Sequence, residues 1–209
     1  MARKPPELKD AYSLKSPEDS RRLYADWAGD YDERFAALED YQLHVHTARA
    51  FVGAGGQGPV LDVGAGTGLC GAVLAGLGVG PIDATDISAE MLTEALKKDV
   101  YRDAFEADLT EGIPAPRDSY SGIVSSGTFT HGHVGPEGIE ALLRVARPGA
   151  QFAVSINAAH YESAGFAAAF KALGDRIGGL SLTEVPIYGD LAVGPNRDDT
   201  ALIALFEKS

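Results

Sequence analysis

From residue 60 onward, the sequence predicts an α/β fold in which short strands alternate with helices. Short apolar runs, such as PVLDVG at 59–64 and IDATD at 82–86, alternate with helical stretches near 69–77 and 88–98. A glycine-rich turn joins the first run directly to the helix after it. Alternation of this kind is typical of βαβ units, which build a parallel sheet.

The first part of the chain is predicted to be helical. Ser16 and Pro17 suit the start of a helix, as a cap and a first helical residue. The large apolar residues that follow recur every fourth position and therefore share one stripe of the helix, namely Leu23, Trp27, Tyr31 and Phe35. A second helical stretch, 41–52, ends at the glycine-rich segment GAGGQGP. We therefore divide the chain into a helical segment, 1–52, and one compact unit, 53–209.

The end of the chain departs from the alternating pattern. Two strand-like runs, SLTEVPIY and TALIALFEK, are joined by a polar loop with no helix between them. Two strands without a crossover helix pair antiparallel, so we expect a hairpin at one edge of the sheet.

Composition excludes several classes of function. A net charge of −12 disfavours nucleic acid and anionic membranes as partners, because both require basic side chains. The single cysteine, Cys70, excludes an internal disulfide and a site with several thiolate ligands, and no metal is expected. Neither a signal peptide nor an apolar run of the ~20 residues that span a bilayer is found, which leaves the cytoplasm as the expected location.

The most informative motif is VLDVGAGTGLCG, from Val60 to Gly71. Its glycines allow a tight turn and close approach of a ligand at the end of the first strand. A G-x-G-x-x-G pattern does run from Gly66 to Gly71, but it does not follow the strand directly, as the dinucleotide fingerprint requires. Asp62 would repel a pyrophosphate and attract an ammonium. The motif therefore favours a nucleoside that carries an amino acid, with a purely structural turn as the alternative.

Two further acids follow the next strands. Asp86 ends the second predicted strand, about twenty residues beyond the glycines, where an acid can accept hydrogen bonds from ribose hydroxyls. Asp108 ends the third, a short strand near 102–107. Its carboxylate and the N–H of Leu109 form an acceptor–donor pair suited to the edge of adenine. Each acid alone is typical of a solvated loop, but their repetition at successive strand ends indicates one binding site.

These motifs resemble those of the class I S-adenosylmethionine-dependent methyltransferases. VLDVGAGTG is similar to the first motif of that superfamily, DIS-E-ML to its ribose segment and ADL to its adenine segment. LLRVARPGAQFAVS resembles the stretch that leads into the fifth strand. YADWAGDYDERF and SSGTFTHGHVG look most like the Williams–Beuren-region methyltransferase-like group.

The resemblance implies a Rossmann-like, doubly wound sheet of seven strands, mostly parallel with an antiparallel last strand. It also implies S-adenosylmethionine as methyl donor. Asp86 and Ile87 would then contact the ribose, and Asp108 and Leu109 the adenine. The residues expected near the methionine moiety are Asp62, Gly64, Ala65, Gly66, Gly68, Ser125 and Ser126.

The N-terminal segment resembles a lid over the donor in similar methyltransferases, with Tyr24, Trp27 and Tyr31 as its contacts; the alternative is that this aromatic stripe only packs. Tyr31, His131 and His160 are the candidate catalytic residues, the two histidines because they follow the fourth and fifth strands. Loop histidines without a catalytic role remain the alternative for both.

Three classes of function fit these observations. The first is methyl transfer to a small-molecule acceptor, and the second is binding of S-adenosylmethionine or its demethylated product without catalysis. The third is another enzyme with the same pocket, such as an aminopropyl transferase or an NAD-dependent oxidoreductase. The N-P-P-Y motif of many methyltransferases that act on nucleic acid or protein amines is replaced by SSGTFTH, which favours a small acceptor.

Overall fold

The computed structural model of the protein describes residues 17–30, 39–130 and 134–209, and the elements named below belong to those residues. The helices are α1 (Pro17–Trp27), α2 (Leu43–Gly53), α3 (Leu69–Gly76), α4 (Ala89–Leu96), α5 (Glu137–Val145), α6 (Ala158–Ser163) and α7 (Phe166–Leu173). The strands are β1 (Val60–Val63), β2 (Ile82–Asp86), β3 (Asp103–Glu106), β4 (Tyr120–Phe129), β5 (Ala146–Asn157), β6 (Ile177–Pro186) and β7 (Thr200–Lys208).

The described strands form one seven-stranded sheet in the order β3-β2-β1-β4-β5-β7-β6. The first five strands pair in parallel, and β7 lies antiparallel between β5 and β6. The predicted Rossmann-like alternation and the antiparallel terminal hairpin are both confirmed. The strand order reverses between β1 and β4, so the switch point of the sheet lies at the carboxyl end of β1, where open α/β sheets bind ligands.

Helices cover the sheet on both faces. On one face, Phe51 of α2 and the buried Cys70 and Leu74 of α3 pack on β1, β2 and β4. On the other face, the larger cluster joins α5 and α7 to β4, β5 and β7, with the rings of Phe152 and Phe206 stacked 4.4 Å apart. All four residues of β1 are buried, as expected for a parallel strand that helices cover on both faces.

Helix α2 belongs to this core. Ala48 and Phe51 are fully buried, and the Phe51 ring occupies the space where a side chain on Gly122 of β4 would lie. Residues 43–52 therefore form part of the helical layer that packs on the sheet, and the division of the chain at residue 52 stays a prediction.

One apolar cluster, which we call the roof cluster, covers the carboxyl edge of the sheet. It joins α1, the first residue of α2, the first turn of α4 and the connection between β6 and β7. Its buried members are Ala28, Leu43, Met91, Ile187, Tyr188, Ala192 and Ala201, with Leu23, Tyr24, Tyr41 and Val185 packed against them. The described part of the N-terminal segment therefore packs over the edge where the strands β1 to β5 end.

Local sequence signals explain several element boundaries. Ser88 caps α4 as predicted, because its hydroxyl accepts the N–H of Met91 at 3.2 Å. The third strand is shorter than predicted, 103–106, and is partly exposed because it lies at the sheet edge. The predicted cap Ser16 lies outside the described residues.

Candidate cofactor and active site

The glycine turn after β1 is held by the end of β2. The N–H groups of Gly64 and Ala65 both donate to the carbonyl of Thr85, at 2.8 and 3.0 Å. The backbone φ angles of Gly64, Gly66 and Gly68 are 64°, 56° and 88°, in the left-handed region that favours glycine. The turn therefore depends on glycine at all three positions.

Two of these glycines face different surroundings. A Cβ on Gly64 would lie 2.0 Å from the hydroxyl oxygen of Thr128, so β4 leaves no room for a side chain there. At Gly66 a Cβ would meet nothing within 4 Å. Gly66 is thus the point at which a ligand could approach the loop backbone closely. The predicted ligand site at the end of β1 requires such an opening.

Asp86 ends β2 with its carboxylate turned toward the loop. Its two oxygens accept the N–H groups of Gly66, at 2.8 Å, and Ser88, at 3.0 Å. Burial raises the pKa of Asp86, while hydrogen bonds from the backbone of Ser88, Gly66 and Ile87 act against that rise. The carboxylate is therefore held in one orientation, and its remaining lone pairs suit hydroxyl donors.

Asp62, in contrast, lies beneath the loop and not in an open site. Its side chain is buried, and one carboxylate oxygen accepts the hydroxyl of Tyr101 at 2.7 Å. Burial raises its pKa to about 6, against the hydrogen bonds from Tyr101 and the backbone of Gly71, and the charge of Asp86 adds to the rise. The other oxygen has no hydrogen-bond partner among the described residues.

The expected contact of Asp62 with the methionine moiety stays a prediction. In the described structure the carboxylate supports the loop from below, because Tyr101 packs against Gly68 and Gly71 and holds Asp62 under α3. Sequence reasoning missed Tyr101 because it precedes a short edge strand, 39 positions from Asp62, and carries no local signal.

Asp108 lies at the rim of the same edge. One carboxylate oxygen accepts both the N–H and the hydroxyl of Thr110, at 2.9 and 2.6 Å. The other oxygen lies 3.5 Å from the guanidinium of Arg21 in α1, and the Asp108 side chain is only 8% exposed. Leu109, the next residue, is buried in the core beneath it. The first helix is thus linked by charge to the residue expected at the adenine.

Strand β4 corrects the expected position of the two serines. Ser125 and Ser126 do not end the strand, which continues to Phe129 through an irregularity in its pairing with β5. The buried hydroxyl of Ser125 donates to the carbonyl of Val63 at 2.8 Å, so it is used inside the sheet. The Ser126 hydroxyl is also buried, and no described residue is its hydrogen-bond partner.

His160 is packed as a structural residue. Its ring is buried edge-on against Phe166, at 5.5 Å, and Nε2 lies 3.0 Å from the carbonyl of Val134. A carbonyl can only accept, so Nε2 carries the proton and is occupied in holding the chain after β4. A neutral imidazole with its proton on Nε2 keeps Nδ1 as the basic nitrogen, so the role of His160 as a base stays a prediction. Tyr31 and His131, with the neighbouring His133, lie outside the described residues, as does the side chain of Trp27.

An aromatic group that the sequence did not suggest lies beside the end of β4. The Tyr41 hydroxyl would be 2.8 Å from a Cβ on Gly127, and the Gly127 N–H donates to Ser155 at 2.9 Å. The Tyr41 ring stacks on His44 at 5.5 Å and meets Tyr188 edge-on at 6.1 Å. Tyr188 comes from a segment far from Tyr41 and His44 in the chain, so only the tertiary structure brings it to them.

The site's architecture agrees with comparisons to known proteins. Residues 60–149 match the family described as a methyltransferase domain. This match covers less than half of the chain, and the seven-stranded sheet is the fold of solved S-adenosylmethionine-dependent methyltransferases. No curated protein sequence matches the chain significantly.

Solved structures share the fold at low sequence identity. A SAM-dependent methyltransferase from Thermotoga maritima, a possible histamine N-methyltransferase, is 13% identical, with a TM-score of 0.66 over 90% of this chain and 99% of that one. DhpI in complex with SAH is 20% identical, with a TM-score of 0.64 over 92% and 97%. A complex between the Haloferax volcanii Trm112 methyltransferase activator and a candidate methyltransferase is also similar. The sequence identity is 17%, and the TM-score is 0.63 over 88% of this chain and 97% of that one.

Two negative findings apply to the described part of the chain. Within residues 17–30, 39–130 and 134–209, no three acidic, histidine or cysteine side chains are grouped to hold a metal ion. None of the helices in these ranges is long and apolar enough to cross a membrane.

The buried Asp62 predicts a specific pH dependence of stability. Since the folded protein holds this proton more tightly than the unfolded chain, the free energy of unfolding should fall by about 3 kcal/mol as pH rises from about 4 to about 6, and then level off. Asp62→Asn should flatten this curve in denaturant titrations, whereas Asp175→Asn, at an exposed position, should not. The same slope in both variants would contradict the assignment.

Removing the Tyr101 hydroxyl should lower the stability of the protein, because this hydroxyl donates to the Asp62 carboxylate beneath the glycine loop. Tyr101→Phe takes away the donor to a buried carboxylate, so we expect a loss of about 1.5–3 kcal/mol in the free energy of unfolding at pH 8. Tyr161→Phe is the matched control, because its ring packs on Phe166 and Phe170 and its hydroxyl has no hydrogen bond to a described residue. Equal losses in the two variants, measured by chemical denaturation, would show that the Asp62 contact is not significant.

Proposed function

We propose that this protein transfers a methyl group from S-adenosylmethionine to a small-molecule acceptor at the carboxyl edge of the sheet. The observation that carries the proposal is the junction of β1 and β2, where Gly66 is open to close approach and donates to the oriented carboxylate of Asp86. This arrangement places a carboxylate that can accept hydrogen bonds from ribose hydroxyls beside a loop whose backbone a ligand can approach closely.

The remaining donor contacts follow the same edge. Asp86 and Ile87 take the ribose, Asp108 and Leu109 the adenine, and the loop from Gly64 through Ala65 to Gly68 the methionine moiety. Asp62 acts from below as a buried negative charge that favours a cation above the loop. The donor supplies a methyl group already activated as a sulfonium. The task of the protein is therefore to align an acceptor with it, which can supply roughly 7–11 kcal/mol of the barrier.

The acceptor side is assigned to the aromatic group beside β4. Tyr41 and Tyr188 belong to the roof cluster, and Ser126, within β4, has a buried hydroxyl. The net charge of −12 argues against nucleic acid as acceptor. One similar structure is that of a possible histamine N-methyltransferase, which supports a small acceptor, and the N-terminal resemblance to the Williams–Beuren-region group remains part of this proposal.

Methyl transfer is tested with isotopically labelled donor and a panel of small metabolites, with release of S-adenosylhomocysteine as a second readout. Donor-dependent labelling of a small molecule is the expected result. Calorimetric binding of S-adenosylhomocysteine without any turnover would indicate a binding protein instead. Labelling of protein or nucleic acid alone would overturn the small-molecule assignment.

Asp86 should dominate donor affinity. Asp86→Ala removes a charged acceptor, so we expect binding of S-adenosylhomocysteine to weaken by about 1.5–3 kcal/mol, roughly ten- to 150-fold. Asp103→Ala, at the exposed start of β3, is the control and should bind as the native protein does. Calorimetry, with thermal unfolding to confirm folding, measures both. Native-like affinity of the Asp86 variant, or displacement of the ligand by NAD, would refute the donor site.

The N-terminal helix is proposed as a lid on the donor. Helix α1 packs on α4 through Leu23 and Tyr24 in the roof cluster, and Arg21 reaches Asp108. Tyr24, Trp27 and Tyr31 remain the proposed aromatic contacts of this lid. Arg21 is then a positioning residue that fastens α1 over the adenine rim without itself taking part in chemistry.

Arg21→Gln should loosen this lid. The ion pair is partly exposed and worth at most about 1 kcal/mol, so we expect two- to fivefold weaker donor binding, mainly through faster dissociation, and a smaller effect at high salt. Arg22→Gln is a matched control, because Arg22 is mostly exposed and pairs with Asp19 of the same helix. Stopped-flow dissociation rates measure the difference. Tighter binding of the Arg21 variant would instead mean that Arg21 competes with the adenine for Asp108.

A further inference from the structure

A cavity of about 570 Å³ opens at the amino edge of the sheet. It is lined by residues from the loop before β4, from α5, from the turn after α7 and from the end of β7. Strands β4 and β5 begin at this edge, and the antiparallel β7 ends there. Asp86 and the glycine turn lie at the opposite, carboxyl edge, so the cavity is separate from the proposed donor site.

The charge of the lining contrasts with that of the whole chain. Its charged side chains are four cations and two carboxylates, namely Arg117, Arg144, Arg176 and Lys208 with Glu140 and Asp175. The chain has a net charge of −12, so an excess of positive charge in one cavity is not expected from composition. A recess lined mainly by one sign of charge raises the local concentration of ions of the opposite sign. The cavity therefore favours an anion.

Backbone contacts bring two of the arginines together. A guanidinium nitrogen of Arg144, in the last turn of α5, donates to the carbonyl of Ile113. The N–H of Asp118 donates to the carbonyl of Arg144 at 3.4 Å, which sets the preceding residue, Arg117, beside the end of α5. The loop before β4 is thus held to α5 at two points, and both arginines line the same cavity.

The other two cations are already neutralised by carboxylates. Arg176 makes two hydrogen bonds of 2.7 Å to the carboxylate of Glu140. The Lys208 ammonium lies 2.9 Å from the carboxylate of Asp118. These pairs fix the walls of the cavity but leave little charge for a ligand, so an anion depends on the remaining two arginines.

Arg117 and Arg144 are able to bind an oxyanion. Neither forms an ion pair with a carboxylate of the described residues, and the Ile113 carbonyl takes only one of the five N–H groups of Arg144. A guanidinium is a planar fork that binds phosphate or carboxylate through two parallel hydrogen bonds. Two such groups match a phosphate monoester, which carries a charge of about −1.5 to −2 at pH 7.

The rest of the lining indicates what the phosphate would be attached to. Leu143 is the one apolar side chain among the described residues that line the cavity, and it is buried. Glu140 and Asp175 offer carboxylate oxygens, which accept hydrogen bonds from hydroxyls and repel a second anionic group. The volume lies in the range of small-molecule sites, about 300–1,000 Å³. A ligand with one phosphate and several hydroxyls fits this lining.

We propose that the cavity binds a small hydroxylated phosphate monoester, of the sugar phosphate class. Arg117 and Arg144 hold the phosphate, and Glu140 and Asp175 face the hydroxyls. A polynucleotide is disfavoured, because the acidic surface of the chain would repel its other phosphates.

Calorimetry with three probes at constant ionic strength tests this site. Ribose 5-phosphate should bind saturably at one site per chain, inorganic phosphate at least fivefold more weakly, and ribose not at all. Saturating S-adenosylhomocysteine should leave the binding of ribose 5-phosphate unchanged, since the two sites lie at opposite edges of the sheet.

Substitutions of the two arginines locate the phosphate. Arg117→Gln removes an exposed charge, and Arg144→Lys keeps the charge but loses the planar fork, so each should weaken the binding of ribose 5-phosphate at least fivefold. Arg197→Gln is the matched control, because Arg197 is exposed in the loop between β6 and β7 and pairs only with Asp198. It should bind as the native protein does. Thermal unfolding confirms that all three variants fold.

Absence of saturable binding of ribose 5-phosphate would overturn the proposal. So would equal weakening by Arg117→Gln and Arg197→Gln, because it would show a general effect of charge. Inorganic phosphate that binds as tightly as ribose 5-phosphate would overturn the assignment to a sugar phosphate, and a single-stranded oligonucleotide that binds more tightly would show a polynucleotide site instead. None of these measurements involves methyl transfer, so their outcome is independent of the proposed function.

Discussion

The turn by which the chain leaves β1 is the constraint on which the site depends. Three successive N–H groups, of Gly64, Ala65 and Gly66, bond to the end of β2, the first two to the Thr85 carbonyl and the third to the Asp86 carboxylate. These bonds require left-handed backbone at Gly64 and Gly66. They hold the carboxyl ends of β1 and β2 together. The position of the Asp86 carboxylate and the opening above Gly66 are consequences of this turn.

The three acids of this edge differ in what they can do: Asp62 lies within β1, Asp86 ends β2 and Asp108 follows β3. Asp62 is held beneath the loop by Tyr101, Asp86 within the loop by backbone donors, and Asp108 at the rim by Thr110 and Arg21. Burial raises the pKa of the first two, so each ionised carboxylate is costly without a nearby positive charge. A donor that carries both an ammonium and a sulfonium would offset this cost, and a dinucleotide diphosphate would increase it.

The features that sequence predicted are those determined by neighbours along the chain. Strand and helix alternation, the glycine turn and the Ser88 cap depend on local periodicity and backbone preference, and each is confirmed. What the sequence could not predict depends on distant contacts. The Tyr101–Asp62 hydrogen bond, the extension of β4 to Phe129 and the packing of His160 on Phe166 arise only when separate elements meet. The fold was therefore predictable to a greater extent than the side-chain roles.

The roof cluster links the two halves of the proposed site. Leu23 and Tyr24 of α1 share this cluster with Tyr41 and Tyr188, and Tyr41 also lies against Gly127 at the end of β4. On the donor side, Arg21 of the same helix contacts Asp108. If α1 is the proposed lid, a movement that admits the donor would therefore break apolar contacts near the acceptor side as well. If these contacts re-form on closure, donor binding and the shape of the acceptor side are energetically coupled, and each ligand strengthens the binding of the other.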